Sequence, residues 1–125
     1  MINKALTILL FLFTITAFSM PDAQIKHLAK RCNTLIKRLD NLTINENTHC
    51  ALTLKIAADD TRFTRDKILQ NDPWAASGKL YWAVRSLEKL DEAQCAYPKD
   101  IELVTTQLNI ISIELMNIIQ LSHTV

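Results

Sequence analysis

A single glycine in 125 residues is the sharpest shortage in this sequence. Average proteins contain roughly 7% glycine, so an all-β fold rich in tight turns and a collagen-like repeat are disfavoured, and a glycine-rich phosphate loop is excluded. Charge of one sign is also lacking: 14 Lys and Arg stand against 13 Asp and Glu. Without a basic excess or a basic tail, the chain has no general attraction for nucleic acid or for an acidic membrane surface. Aromatic residues are sparse at 6%. The histidines His27, His49 and His123 and the cysteines Cys32, Cys50 and Cys95 form no HxxxH, HExxH, CxxC or CxxCH spacing. The usual signals of a zinc site or covalent haem are missing, and no metal or cofactor is expected. Nor is there a catalytic constellation. No histidine shares the helical stripe of Cys32 to serve as its base. The neighbouring acids Asp59-Asp60 and Asp91-Glu92 would point about 100° apart on a helix, so neither pair makes an acid–base dyad. Enzyme activity is not expected.

What the sequence has in quantity is apolar residues, 49% of the chain. The length suits one domain. Ala5 to Phe18 (ALTILLFLFTITAF) follows Lys4 without a charge, and Ala17-Phe18-Ser19 places small residues at −3 and −1. These features predict a secretory signal peptide over residues 1–19, with cleavage after Ser19 and, as second choice, after Ala23. The run falls short of the ~20 residues that span a bilayer, so no stable membrane insertion is expected. The expected location is secreted: extracellular or apoplast, or the periplasm if the host is a bacterium. Removing the first 19 of 125 residues leaves 106 and takes Lys4 from the 14 basic residues, so 13 remain against 13 acids. The mature chain, residues 20–125, is neutral.

Helical periodicity fills that chain. Ile25, Leu28, Cys32, Leu35, Leu39 and Leu42 alternate at three and four residues, which predicts a helix over 22–44. Asn41 to Thr48 (NLTINENT) has no such period and reads as a turn. Over 49–70, Cys50, Leu54, Ala57, Thr61, Thr64 and Ile68 share a face of small residues suited to close approach, while Leu52, Ile56 and Phe63 lie on another. Asp72 as N-cap and Pro73 at the first helical position open a third helix, expected to run to 95 with Ala76, Leu80, Ala83, Leu87 and Leu90 inward. Pro98 opens a fourth, with Ile101, Val104, Leu108, Ile111, Leu115 and Ile118 as its seam. Four helices of roughly 20 residues with short connections imply an all-α, up-down-up-down four-helix bundle.

That topology sorts the cysteines. Cys50 opens the second helix and Cys95 closes the third, so they meet at one end of the bundle. Cys32 lies about ten residues lower, roughly 15 Å away at 1.5 Å per residue, beyond the ~7 Å Cα limit for a bridge. A Cys50–Cys95 disulfide is expected, with Cys32 a buried apolar residue and a monomer favoured over a Cys32-linked dimer.

The charges divide by helix. Lys26, Lys30, Arg31, Lys37 and Arg38 fall on the first and Asp100, Glu102 and Glu114 on the last, which are neighbours in the bundle and so complementary. Two features point to a surface for a partner protein. Ile110 to Leu121 (IISIELMNIIQL) adds Ile110, Ile113 and Met116 beyond its seam, and Trp74, Tyr81 and Trp82 concentrate aromatic area on the third helix. Asn41-Leu42-Thr43 is a glycosylation sequon in the first loop, meaningful in a eukaryotic host. An alternative is a small-ligand or haem carrier, with His27 and His123 supplying axial ligands from the first and last helices.

Cys50 followed by Leu54 and Ala57, Leu80 to Leu87 ahead of Cys95, and the terminal ELMNIIQL of Glu114 to Leu121 resemble the plant invertase and pectin methylesterase inhibitor family. The resemblance covers about residues 45–121. It lacks the family's N-terminal hairpin and has Leu54 where the family has tyrosine. A second register makes Cys32 and Cys50 the cysteine pair of that hairpin. The resemblance implies a four-helix bundle with a disulfide between its second and third helices, and a proteinaceous inhibitor of a cell-wall enzyme. The expected function is therefore protein binding by an exported, non-enzymatic bundle, acting as an inhibitor or immunity-type module.

Overall fold

The ends of the helices are set by a few polar side chains. The computed structural model describes residues 20–124, with side chains to Leu121; the leader expected over 1–19 lies outside the described residues. Helix α1 runs Asp22–Asn45, α2 Thr48–Leu69, α3 Pro73–Glu88 and α4 Pro98–Thr124, with a short 3-10 turn at Glu92–Gln94. Asn47 caps α2 by accepting from the Cys50 N–H at 3.0 Å, and Asp72 caps α3 by accepting from the Ala75 N–H at 3.2 Å. Between α2 and α3 the chain needs a left-handed residue, and with so little glycine Asn71 takes it, at φ 57°. The Asn71 N–H donates to the Ile68 carbonyl and the Asp72 N–H to that of Lys67, closing a Schellman-type turn that satisfies the last carbonyls of α2. The Met20 N–H donates to Asn71 Oδ1 at 3.0 Å, and its side chain is buried in the core.

α1 packs on α2, α2 on α3, α3 on α4, and α4 closes back on α1, giving the expected up-down-up-down four-helix bundle. The interior is formed by the periodic residues: Leu28, Leu39, Leu54, Leu80, Leu87, Ile101, Leu108, Ile111 and Leu115 are fully buried. Each such side chain contributes about 1.5–3 kcal/mol relative to exposure. The small face of α2 also behaves as read. Ala57, Ala58, Thr61 and Thr64 are buried, and the two hydroxyls donate to the carbonyls of Ala57 and Asp60 four residues back, so no polar atom of theirs is stranded.

One helix boundary differs from expectation. The third helix stops at Glu88 rather than continuing to 95. Leu90 keeps the apolar period, but Asp91 turns its side chain onto the Ala93 N–H and starts the 3-10 turn, after which Cys95 is extended (φ −96°, ψ 152°). Crossing the end of the bundle to reach Cys50 requires that departure from helix. The first helix ends at Asn45, one residue from its expected end, and so includes the first residues of the segment read as a turn. The Asn41-Leu42-Thr43 sequon therefore lies in its last turns and not in a loop. Asn41 is exposed, Leu42 is in the core, and the Thr43 hydroxyl donates to the Leu39 carbonyl at 2.8 Å.

The expected Cys50–Cys95 disulfide is present, with a Cα–Cα distance of 5.8 Å. Around it, the α1–α2 loop grips the segment leading into α4. The Asn47 amide donates to the Gln94 carbonyl at 2.7 Å, and Glu46 accepts from the N–H groups of Ala96, Tyr97 and Asn47. Partial burial pushes the Glu46 carboxyl up, but the three N–H donors of Ala96, Asn47 and Tyr97 outweigh it and hold the group below its usual range. A carboxylate with a lowered folded pKa stabilises the fold fully above its unfolded value near 4.3, and that contribution is lost as pH falls through the folded value. Glu46→Gln should destabilise the protein by about 1 kcal/mol at neutral pH, allowing for solvent access to the site. In paired denaturation curves the gap to wild type should be constant above about pH 5 and close below about pH 4; a gap independent of pH would remove Glu46 from the account.

Candidate functional site

The aromatic surface of α3 is built around the sequence's sole glycine. Trp74, Tyr81 and Trp82 are 56%, 44% and 62% exposed, so none is part of the core. Gly78 lies one turn from each, four residues after Trp74, three before Tyr81 and four before Trp82. A methyl group placed at Gly78 would meet no neighbouring atom within 4 Å, and its backbone has no left-handed φ. Neither packing nor conformation inside this chain calls for glycine there. Tyr81 and Trp82 meet edge to face with ring centroids 5.6 Å apart, and the Arg85 guanidinium sits 4.9 Å from the Tyr81 ring. These contacts hold the rings in place on a helical face, limiting the side-chain entropy lost when that face is covered.

The apolar excess of α4 is also on the outside: Ile110, Ile113 and Met116 are each about half exposed. Ile113 lies one turn from each of the other two, so the three form an oblique stripe and do not share one line along the helix. Six residues separate Ile110 from Met116, about 120° around the helix. Ile110 turns towards α1, where with Arg31, Thr34, Leu35, Arg38 and Gln107 it lines a surface groove of about 290 Å³. Thr34 and Gln107 carry no signal in the sequence, and Leu35 reads there only as part of the buried seam. The signal available was the seven-residue spacing of Arg31 and Arg38, which places both guanidiniums on one edge of α1.

Among the described residues, the charge complementarity expected between the first and last helices is realised by one ion pair. Arg31 meets Glu114 at 2.7 Å, whereas Arg38 donates to the neutral Gln107 at 2.9 Å. Other ion pairs tie α2 to its neighbours: Arg62, which also pairs with Asp59 of its own helix, reaches Asp40 of α1, and Lys79 of α3 reaches Asp60 at 3.4 Å. Asp59 thus pairs within α2 and Asp60 across to α3. Glu46, Cys50 and Cys95 bring three donor atoms within 4.8 Å, but the sulfurs are joined to one another and the carboxylate is taken by backbone N–H groups. That chemistry does not suit a cation. His27 is exposed on the outer side of α1; the side chain of His123 lies outside the described residues.

Cys32 is completely buried on the α1 seam. Burial pushes its thiol up to about 11, with Arg31 and Arg65 pulling weakly the other way. A thiol that is both covered and protonated at neutral pH is neither nucleophilic nor able to reach a second copy while the bundle is folded. Native protein should therefore react with a thiol reagent at well below a tenth of the rate seen in denaturant, where one thiol per chain should appear. Rapid native labelling would contradict the burial. No family model, curated protein or solved structure matches the chain.

Proposed function

We propose that this chain is an exported, non-enzymatic binding protein whose partner is another protein, and that it acts by inhibiting an exported enzyme. The observation that carries this reading is the α3 surface: two tryptophans and a tyrosine, each about half exposed, around a helical glycine that this chain has no internal use for. Tryptophan and tyrosine are the residues most enriched at the energetic centres of protein interfaces. A bare Cα between them lets a partner's backbone or side chain approach the helix closely. The disulfide supports an extracellular or periplasmic location, since such bonds persist in oxidising compartments. Burial of Met20 favours signal cleavage after Ser19 over cleavage after Ala23, which would remove a core residue. The resemblance to the invertase and pectin methylesterase inhibitor family supports the choice of inhibition among binding activities. Among the described residues no helix is long and apolar enough to cross a membrane.

Gly78 separates folding from binding. In a helix interior, glycine costs about 0.5–1 kcal/mol relative to alanine. Gly78→Ala should therefore raise the melting temperature by several degrees, about 4–8 °C per kcal/mol for a domain of this size. In crosslinking pull-downs from the exporting compartment, the same substitution and Trp82→Ala should each lower recovery of a specific protein at least about fivefold. Undiminished recovery by both variants, or no specific protein with wild type, would sink the proposal.

A further inference from the structure

The seam between α1 and α4 is the least closely packed of the four. A second groove, of about 260 Å³, lies further along the same seam beyond the Arg38–Gln107 hydrogen bond, lined by Arg38, Asn41, Leu42, Asp100, Leu103 and Val104. Arg38 belongs to both. From Arg31 to Leu42 the two together follow about three turns of α1, roughly 16 Å. Leu35, Leu42 and Val104 form a buried apolar floor, while Leu103 and Ile110, 50% and 45% exposed, stand at its edge. Their seven-residue spacing along α4 matches the repeat with which a third helix would engage them.

The walls carry unbalanced charge. Arg31 is neutralised by Glu114, but the Arg38 guanidinium has only the neutral amide of Gln107. Lys26, Lys30 and Lys37 are exposed on the adjoining outer face of α1, and none of them forms an ion pair among the described residues. Asp100 lies at the opposite end. In a chain whose mature charge is zero, this basic strip beside an apolar trough is a local feature, acting over about a Debye length of 8–10 Å.

We propose that the α1–α4 groove is a docking site for an acidic amphipathic helix of the partner protein, an inference that rests on the protein-binding role above. The incoming helix spans about three turns and lays Leu- or Ile-type side chains against Leu35, Leu103 and Ile110. Its Asp and Glu residues face Arg38, Lys30 and Lys37. A basic residue at the end near Asp100 fixes its direction.

The test selects from a displayed library of randomised helical peptides of about 14 residues, long enough to fill the groove, against the disulfide-intact chain. The selected pool should be enriched in Asp and Glu together with Leu or Ile at helical spacing. Arg38→Glu and Ile110→Asp, both at exposed positions and checked for fold by circular dichroism, should each weaken the selected peptides about tenfold or more. Trp82→Ala should leave them unchanged. A pool without acidic enrichment, or an affinity indifferent to both groove substitutions, overturns the inference. Loss through Trp82→Ala alone also overturns it, while leaving the protein-binding role standing. Vesicles containing about 30% phosphatidylglycerol form the last arm, since basic strips also attract anionic lipid. Vesicle binding abolished by Arg38→Glu, with no peptide selected, would assign the groove to lipid and overturn the proposal.

Discussion

The rest of the bundle depends on how one of its ends is closed. Four helices packed in a ring can splay where the chain crosses between them, and here two crossings are tied together. Cys50 at the start of α2 is bonded to Cys95 just before α4, Glu46 collects the backbone N–H groups of Ala96 and Tyr97, and Asn47 holds the Gln94 carbonyl. The covalent bond restricts the unfolded chain, and the carboxylate lies at the positive end of α4. This closure also explains why α3 is the shortest helix: the chain must leave it early to bring Cys95 into reach. At the opposite end no covalent tie is present among the described residues, and a left-handed Asn71 with its bond from Met20 does the equivalent work non-covalently.

With the fold held in this way, the sides of the bundle are released from purely structural duty. α2 is tied to α1 by Arg62 and Asp40 and to α3 by Lys79 and Asp60. The α1–α4 seam has the single Arg31–Glu114 pair and stays partly open. α3 turns three aromatic rings outward around Gly78. The exposed rings of α3 and the α1–α4 groove are thus formed largely by residues other than those that close the bundle end.

Much of the fold was legible in the sequence because burial here follows period. The inward residues of all four helices, the cap at Asp72 with Pro73, the small face of α2 and the Cys50–Cys95 pairing all follow from spacing and from rise per residue. Asn41 shows where composition misleads, and Asp91 where period does. Asn41 to Asn45 reads as the start of a turn from its polar residues, yet it is helix, as the period ending at Leu42 implies, and the side chains of Thr43 and Asn45 bond back to carbonyls of the same helix. Leu90 keeps the period, yet helix stops because Asp91 prefers to cap. Sequence likewise named Ile110, Ile113 and Met116 as surplus apolar area, but grouping them needed the rotation around α4. The Glu46 carboxylate gives no sequence signal at all, since its partners are backbone groups some fifty residues away.

The closed end of the bundle depends most on the Cys50–Cys95 bridge. A loop closed across 45 residues is worth about 4 kcal/mol in the chain-entropy model, a large part of the 5–15 kcal/mol that holds a domain together. Guanidinium unfolding of the wild type and of a Cys50→Ala, Cys95→Ala double variant measures it. The double variant should lose about 3–4 kcal/mol with helical content retained in the absence of denaturant. A loss below about 1 kcal/mol, smaller than a typical point substitution in a core, would contradict that dependence.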